Sequence, residues 1–465
     1  MIPAALLINP WIYDFAAFDM WSAPLGLLSI AAVLRNTRWD VSLIDCTSRH
    51  HPSIADKVPH EKPYHCGQYF AKEVRKPEAI SWVPRRYKRY GIPEEVFIQD
   101  IRNAVRPDVI LVTSRMTYWY PGVRRVIEIV RDVFPRTLII LGGTYATLCP
   151  DHARAVCKPD ILFSGEAEGK ICSLIEQTAG VKMEAHAGFN GHELDSLPFP
   201  AWDLLSSQKA LPIETSRGCP YACSYCASGR LFSGFRKKSA GRVADEIEYA
   251  VAGFGTEDFS FNDDALLFNA PTHFEKIADE VSRRGLHARF HTPNSVFANA
   301  ITPAVSEKLR AMNFHTIRLS LETTNVKRLK EMNRKILPRH FDEAMKNLRA
   351  AGFTKKEVGA YIMVGLPRQG ADEVREAIDY SIACGATPHL AEYSPIPGTP
   401  AWEDAVASAR LDIRNEPLLH NNSIFYMLGG SFDRPTLEEL KHYALTRQHS
   451  KGDIIQYEQT EGHQD

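Results

Sequence analysis

Eleven short apolar runs, many rich in β-branched residues, are separated along the chain by helical patterns, and no two runs follow one another directly. Strands in that order have no hairpins to join them. They must run parallel, with crossover helices packed on the sheet faces. The runs fall into two groups. The first lies at 5–9, 41–45, 109–114, 138–142 and 161–165, with helical patterns at 24–35, 94–105, 121–133, 149–157 and 167–178. Leu138-Ile139-Ile140-Leu141 is apolar without alternation, as a strand buried on both faces requires. This group implies an α/β, doubly wound, Rossmann/flavodoxin-like domain with its ligand crevice at the strand C-termini. The second group lies at 212–215, 258–261, 288–291, 316–321, 358–364 and 389–393, with helices at 242–252, 271–284, 302–312, 325–332, 339–351 and 370–384. Gly253, Gly285, Gly352 and Gly385 stand where C-caps fall.

Of nine cysteines, Cys46, Cys66, Cys149, Cys157, Cys172 and Cys384 share no spacing and read as small buried hydrophobes. Cys219, Cys223 and Cys226 lie within eight residues, spaced C-x3-C-x2-C, after Gly218 and around Pro220. A structural zinc wants a fourth ligand nearby, and the next Cys or His along the chain is His273. A [4Fe–4S] cluster takes four ligands. Three cysteines would leave one iron open to a substrate or cofactor.

The 55 basic and 56 acidic side chains leave a net charge of -1, which argues against bulk electrostatic binding of nucleic acid. No stretch has the 18 or so apolar residues that a membrane helix needs. The first 21 residues are apolar but contain Pro10, Asp14 and Asp19 and lack a basic start. They do not read as a signal peptide, and a cytoplasmic location is the expectation. Between 46 and 93 lies a connection too long for a strand–helix loop. Its segment Trp82 to Tyr90 mixes basic and aromatic residues, a composition that suits either an anionic partner or a solvated face with its aromatics inward. That segment is expected to cover a domain interface or cap the active site.

The cysteine motif, with Tyr225 before its last cysteine, resembles that of the radical S-adenosylmethionine (SAM) enzymes. The resemblance implies a partial (β/α)6, TIM-type barrel in which the open iron of the cluster chelates SAM. Reductive cleavage of SAM would then yield a 5′-deoxyadenosyl radical. Cys219, Cys223 and Cys226 are the expected cluster ligands. Tyr225, Asp263, Asp264, Asn294, Ser320, Glu322, Gly365 and Pro367 are the expected SAM contacts, at the C-terminal strand ends where such barrels place their chemistry. Thr292 reads as a strand–helix junction residue, and His291, His315 and His389 as packing or substrate-wall residues. Before the barrel, Pro24 to Arg35, Leu141 to Thr147 and Ser164 to Glu168 resemble pieces of a cobalamin-binding domain. Gly142, Gly143, Thr144, Gly165, Glu166 and Trp119 are its candidate contacts. The D-x-H-x-x-G motif is absent, so cobalamin would bind without a histidine on its lower face. The implied organisation is a cobalamin-binding domain at 1–180 with an insertion at 46–93, a linker at 181–207, a barrel at 208–404 and a helical C-terminal extension at 405–465, its last residues 458–465 frayed. The function implied is SAM cleavage coupled to cobalamin-dependent methyl transfer onto an unactivated position. The substrate is a small molecule or biosynthetic intermediate, and flavodoxin or ferredoxin is the electron donor. The alternatives are radical cyclisation or rearrangement without methyl transfer, a methylthiotransferase, and a redox-sensing iron–sulfur RNA-binding protein.

Overall fold

A computed structural model describes residues 2–449, except 60, 181–188, 190, 335 and 430. The expected linker therefore lies partly, and the expected frayed end wholly, outside the described residues. The first sheet holds β1 (Ala4–Asn9), β2 (Asp40–Asp45), β3 (Val109–Val112), β4 (Leu138–Leu141) and β5 (Ile161–Leu162). All are parallel, in the spatial order β2-β1-β3-β4-β5. This is the flavodoxin-like order. Its helices are α1 (Leu25–Asn36), α2 (Glu94–Asn103), α3 (Tyr120–Val133), α4 (Pro150–Cys157) and α5 (Ile171–Ala179). Successive strand residues serve opposite faces. Ala5, Leu7, Leu111 and Ile140 pack on α1 and α5, whereas Leu6, Ile8, Ile110 and Leu141 pack on α2 and α3. Burial on both faces is why the strands read as unbroken apolar runs.

The second sheet holds β6 (Ala210–Ile213), β7 (Asp258–Phe261), β8 (Arg289–His291), β9 (Phe314–Glu322), β10 (Val358–Val364) and β11 (Thr387–Glu392), parallel and in sequence order. Around it lie α6 (Ala240–Phe254), α7 (Phe274–Arg283), α8 (Pro303–Ala311), α9 (Pro338–Ala350) and α10 (Ala371–Ala383). Phe259, Phe261, Phe290 and Phe314 stack outward beneath these helices. The intervening Asp258, Ser260 and His291 therefore face the lumen. Several bounds differ from expectation, two of them at glycines. The left-handed cap of α6 is Gly255 rather than Gly253, which lies inside the helix. β5 stops at Leu162, ahead of Gly165.

The long segment after β2 folds back onto the start of the chain. Ala71–Glu73 and Lys88–Tyr90 join Ile12–Asp14 in an antiparallel patch. Tyr87 and Tyr90 turn inward while Trp82 stays exposed. The same segment reaches the barrel, setting Tyr64 beside His291 and His315 and pairing His65 with Glu257. Beyond β11, the helices Trp402–Ser408 and Asn422–Leu428 pack with α2 and α3, and α11 (Arg434–His449) lies on the barrel side. Among the described residues no helix is long and apolar enough to cross a membrane.

Candidate functional site

The cysteine loop leaves β6 and is gripped from below. Asp263, at the exit of β7, accepts hydrogen bonds from the Thr215 backbone N–H at 3.2 Å and from the Thr215 and Ser216 hydroxyls at 2.6 Å. Burial lifts its carboxyl to about 6 in spite of those bonds. The expected SAM contact Asp263 is thus engaged with the loop residues Thr215 and Ser216. A hairpin of Ser216–Arg217 with Arg236–Lys237 follows. Gly218 has φ +76, and a Cβ there would meet the Gly234 carbonyl at 2.2 Å. Only glycine fits this turn into the motif.

Cys223 is buried, Cys219 half-buried and Cys226 exposed. Their sulfurs do not form a set within 4.8 Å; among the described residues, the one such group of Cys, His and carboxylate donors is His65, Glu257 and Asp258. Thiolates on a single zinc, with Zn–S near 2.3 Å, would sit about 4 Å apart. The His65 group is an ion-pair network, because Lys209 and Arg289 already sit on its carboxylates at 2.6–3.2 Å. The remaining thiols are inert, with burial pushing Cys66, Cys149 and Cys157 up to about 12.

Over the loop stands a set that joins three elements. Glu322 ends β9 at φ +64, a conformation that non-glycine residues rarely adopt. Burial raises its carboxyl, against the pull of Arg334 and a hydrogen bond from Tyr225. Arg334 lies 3.4 Å from Glu322, donates to the Ser320 hydroxyl at 2.7 Å and reaches Cys223 Sγ at 3.6 Å. Its Nε is buried without a partner. Sequence reasoning missed Arg334, which follows the six-residue helix Val326–Glu331 and finds its partners only through the fold. Asn333 beside it donates to the Ala222 carbonyl at 2.8 Å, and Ser224 N–H donates to the Met332 carbonyl at 3.0 Å. The signal available was Asn333-Arg334 directly after that helix.

Among the other expected contacts, Asp264 accepts from the Ser228 hydroxyl just past the motif, and burial raises its carboxyl. Asn294 is exposed and donates to the Asn262 carbonyl at 3.1 Å. Thr292 is buried and accepts from the Arg318 backbone. Gly365 lies under Tyr426, whose Cβ would be 2.8 Å from an added methyl, and the Pro367 carbonyl accepts from Arg328.

A cavity of about 340 Å³ opens at the C-terminal ends of β3, β4 and β5, against the barrel. Gly26, Gly142, Gly143 and Gly165 pave it, Leu27, Ile30, Ile140 and Phe163 line it, and Leu231 and Phe232 face them from the other side. Gly143 has φ +93 and leaves no room for a Cβ, which would meet the Ser114 carbonyl at 2.2 Å. Thr144 and Glu166 also line the cavity, and among the described lining residues none is histidine. A flat, glycine-floored, apolar crevice at this topological position suits a large planar cofactor. Trp119 is not among the residues that line it. Its indole N–H donates to Asp14 at 2.7 Å and its ring packs among Ile12, Tyr69 and Tyr90, away from the cavity. Arg115 of the same loop does line it. At the wall, Arg217 meets Glu214, Glu168 and Glu166 at 2.6, 2.7 and 3.2 Å, and Arg236 also holds Glu166.

Comparison with known proteins finds the radical SAM superfamily model over residues 213–381 and the B12 binding domain model over residues 88–175. The chain is 24% identical over 376 residues to an uncharacterised methyltransferase of Pyrococcus horikoshii, covering 73% of this chain and 78% of that one. It is 20% identical over 469 residues to the cytidylyl-2-hydroxyethylphosphonate methyltransferase of Streptomyces wedmorensis, covering 88% and 82%. Among solved structures, the radical SAM methyltransferase TsrM of Kitasatospora setae, with cobalamin and a [4Fe–4S] cluster bound, superposes with a TM-score of 0.64 at 15% identity, over 91% of this chain and 85% of that one. The cobalamin-dependent radical enzyme OxsB, with aqua-cobalamin bound, gives 0.56 at 14% identity, over 94% and 56%.

Proposed function

This chain belongs to the radical SAM superfamily and carries a B12 binding domain, and on that premise we propose that it is a cobalamin-dependent methyltransferase acting on a small molecule. The observation that carries this reading is a shared wall. Arg217 lines the glycine-floored cavity, and only Gly218 separates it from Cys219. A planar cofactor in that cavity would therefore sit beside the cysteine loop. When bound, the [4Fe–4S] cluster supplies the electron that splits SAM, and cobalamin supplies the methyl carrier.

The residues divide this work. Cys219, Cys223 and Cys226 would hold three irons and leave one for the amino and carboxylate groups of SAM. Glu322, steadied by Tyr225, would accept from the SAM ammonium or a ribose hydroxyl. The free Nε of Arg334 would donate to a carboxylate, a charge-assisted bond of the stronger kind. Asp264 with Ser228, and Asn294, Ser320, Gly365 and Pro367, would complete the wall around SAM. Gly142, Gly143, Thr144, Gly165 and Glu166 would hold cobalamin from the sheet side, with Leu231 and Phe232 excluding water opposite. Residues 1–180 would thus bind cobalamin, 181–207 link, 208–404 cleave SAM and 405–465 brace the two. A small one-electron carrier such as flavodoxin or ferredoxin would reduce the cluster.

The test is cofactor retention. After anaerobic reconstitution with iron, sulfide and hydroxocobalamin, and desalting, the visible spectrum should show near-stoichiometric corrinoid beside iron–sulfur absorption. Cys226→Ala should lose the iron–sulfur absorption and SAM cleavage and keep the corrinoid. Iron–sulfur absorption without corrinoid would rule out methyl transfer through cobalamin. SAM cleavage by Cys226→Ala would overturn the whole reading.

A further inference from the structure

The lower barrel lumen holds a cation that the fold does not neutralise. Arg318 stands four residues before Glu322 on β9, half-buried, and the group that favours its charge is a phenol, Tyr361, with no carboxylate beside it among the described residues. Its neighbours in the barrel are treated differently. Arg217, Arg236, Arg289, Arg310, Arg328 and Arg334 each meet a carboxylate at 2.6–3.4 Å. A guanidinium withdrawn from water without a counter-charge is costly, and a fold keeps one where something else supplies the charge.

The surroundings of Arg318 are built for an acceptor. Tyr361 donates its hydroxyl to the Pro293 carbonyl at 2.9 Å, so its oxygen has lone pairs and no proton to offer the neighbouring guanidinium, which itself reaches the Ile317 carbonyl at 3.5 Å. His389, on β11, is held neutral, its pKa lowered to about 4 by burial and by Arg318, so its ring keeps an N–H to donate. Gly359, on β10 between them, makes the space: a Cβ there would come within 2.5 Å of the His389 ring and 3.0 Å of Arg318 Cδ. Two donor groups converge with no acid between them, the arrangement that suits an oxyanion.

We propose that Arg318, His389 and Tyr361 seat a terminal oxyanion of the substrate, a carboxylate or a phosphate-type group, in the lumen below Glu322. This rests on the reading of the chain as a radical SAM enzyme whose barrel receives the substrate. Tyr361 and His389 stand in register with Ser320, two residues before Glu322, so the seat lies about 7 Å below Glu322.

Equilibrium dialysis of the reconstituted full chain tests this, with radiolabelled inorganic phosphate in one arm and radiolabelled benzoate in the other. One probe should bind saturably, and the arm that does so tells phosphate-type from carboxylate. Arg318→Gln should weaken that binding by about tenfold or more, with Arg318→Lys recovering part of the loss. His389→Gln should weaken it by a smaller factor, and it carries the comparison if Arg318→Gln does not fold. Absence of saturable binding by the wild-type chain overturns the seat. So does equal binding by wild type, Arg318→Gln and His389→Gln. The measurement needs neither SAM nor reductant, so failure of wild-type SAM cleavage would strike the methyltransferase reading and leave this result standing.

Discussion

Arg334 shows how much of the site depends on one side chain. It bridges Cys223, a strand-end serine and the strained Glu322, and it still has an unpaired buried N–H. Replacing it with glutamine removes charge-assisted bonds worth about 1.5–3 kcal/mol each. We therefore expect Arg334→Gln and Glu322→Gln to slow SAM cleavage by roughly 10- to 100-fold, measured as 5′-deoxyadenosine formed with dithionite. Iron–sulfur absorbance should remain, since neither residue is a cluster ligand. Full cleavage activity in both variants would remove them from the SAM site. Residue-level legibility was uneven for a physical reason. Cys219, Cys223 and Cys226 declare themselves because their spacing is local, whereas Glu322 entered through the family resemblance. Arg334 acts through contacts to β9 and to the cysteine loop, and local sequence does not encode those.

At the scale of elements, the exit of β7 holds the start of the cysteine loop through Asp263. Its carboxyl titrates at about 6 in the folded chain against an ordinary 3.8, because burial disfavours its charge. Between those values the folded protein keeps a proton that the unfolded chain has lost. Asp263 therefore lends stability below pH 4 that fades as pH rises to about 6. The difference in melting temperature between wild type and Asp263→Asn should accordingly shrink from pH 4 to pH 6 and then stay level. A difference constant across that range would contradict the assignment. The elements themselves were largely legible. Asp258–Phe261 and Val358–Val364 have the bounds that their apolar patterns imply. The pieces that hid, such as Ala71–Glu73, are too short to show a period, and they become strands only by pairing with distant chain.

At the scale of the molecule, the charged knot at Arg217 closes the two sheets on each other. Glu166 and Glu168 come from the loop after β5, Glu214 and Arg217 from the exit of β6, and Arg236 from the hairpin. Removing the buried Arg217 leaves three carboxylates facing one another. Breaking a buried pair on one side costs about 3–5 kcal/mol. Arg217→Met should therefore lower the unfolding free energy by that order in urea titrations, and it should release corrinoid on desalting, because Arg217 also walls the cavity. Unchanged stability and full corrinoid retention would show that the knot does not hold the interface. A second tie runs from the C-terminal extension, where Asn421 donates to Asp14 at 2.8 Å and the His420 ring meets the Thr117 hydroxyl at 3.0 Å.

Periodicity and spacing were enough to determine two parallel α/β units, their order along the chain and a three-cysteine loop at the start of the second. Those features are local, since each strand or motif carries its own pattern in adjacent residues. Tertiary structure alone decided that Trp119 turns to Asp14 and away from the cavity. It also decided that Asp263 serves the loop, that Arg334 crowns the cysteines, and that Arg318 is left in the lumen without a carboxylate. In each case the outcome depends on which distant groups share a space of a few ångströms, and that depends on how helices and strands pack rather than on any stretch of sequence.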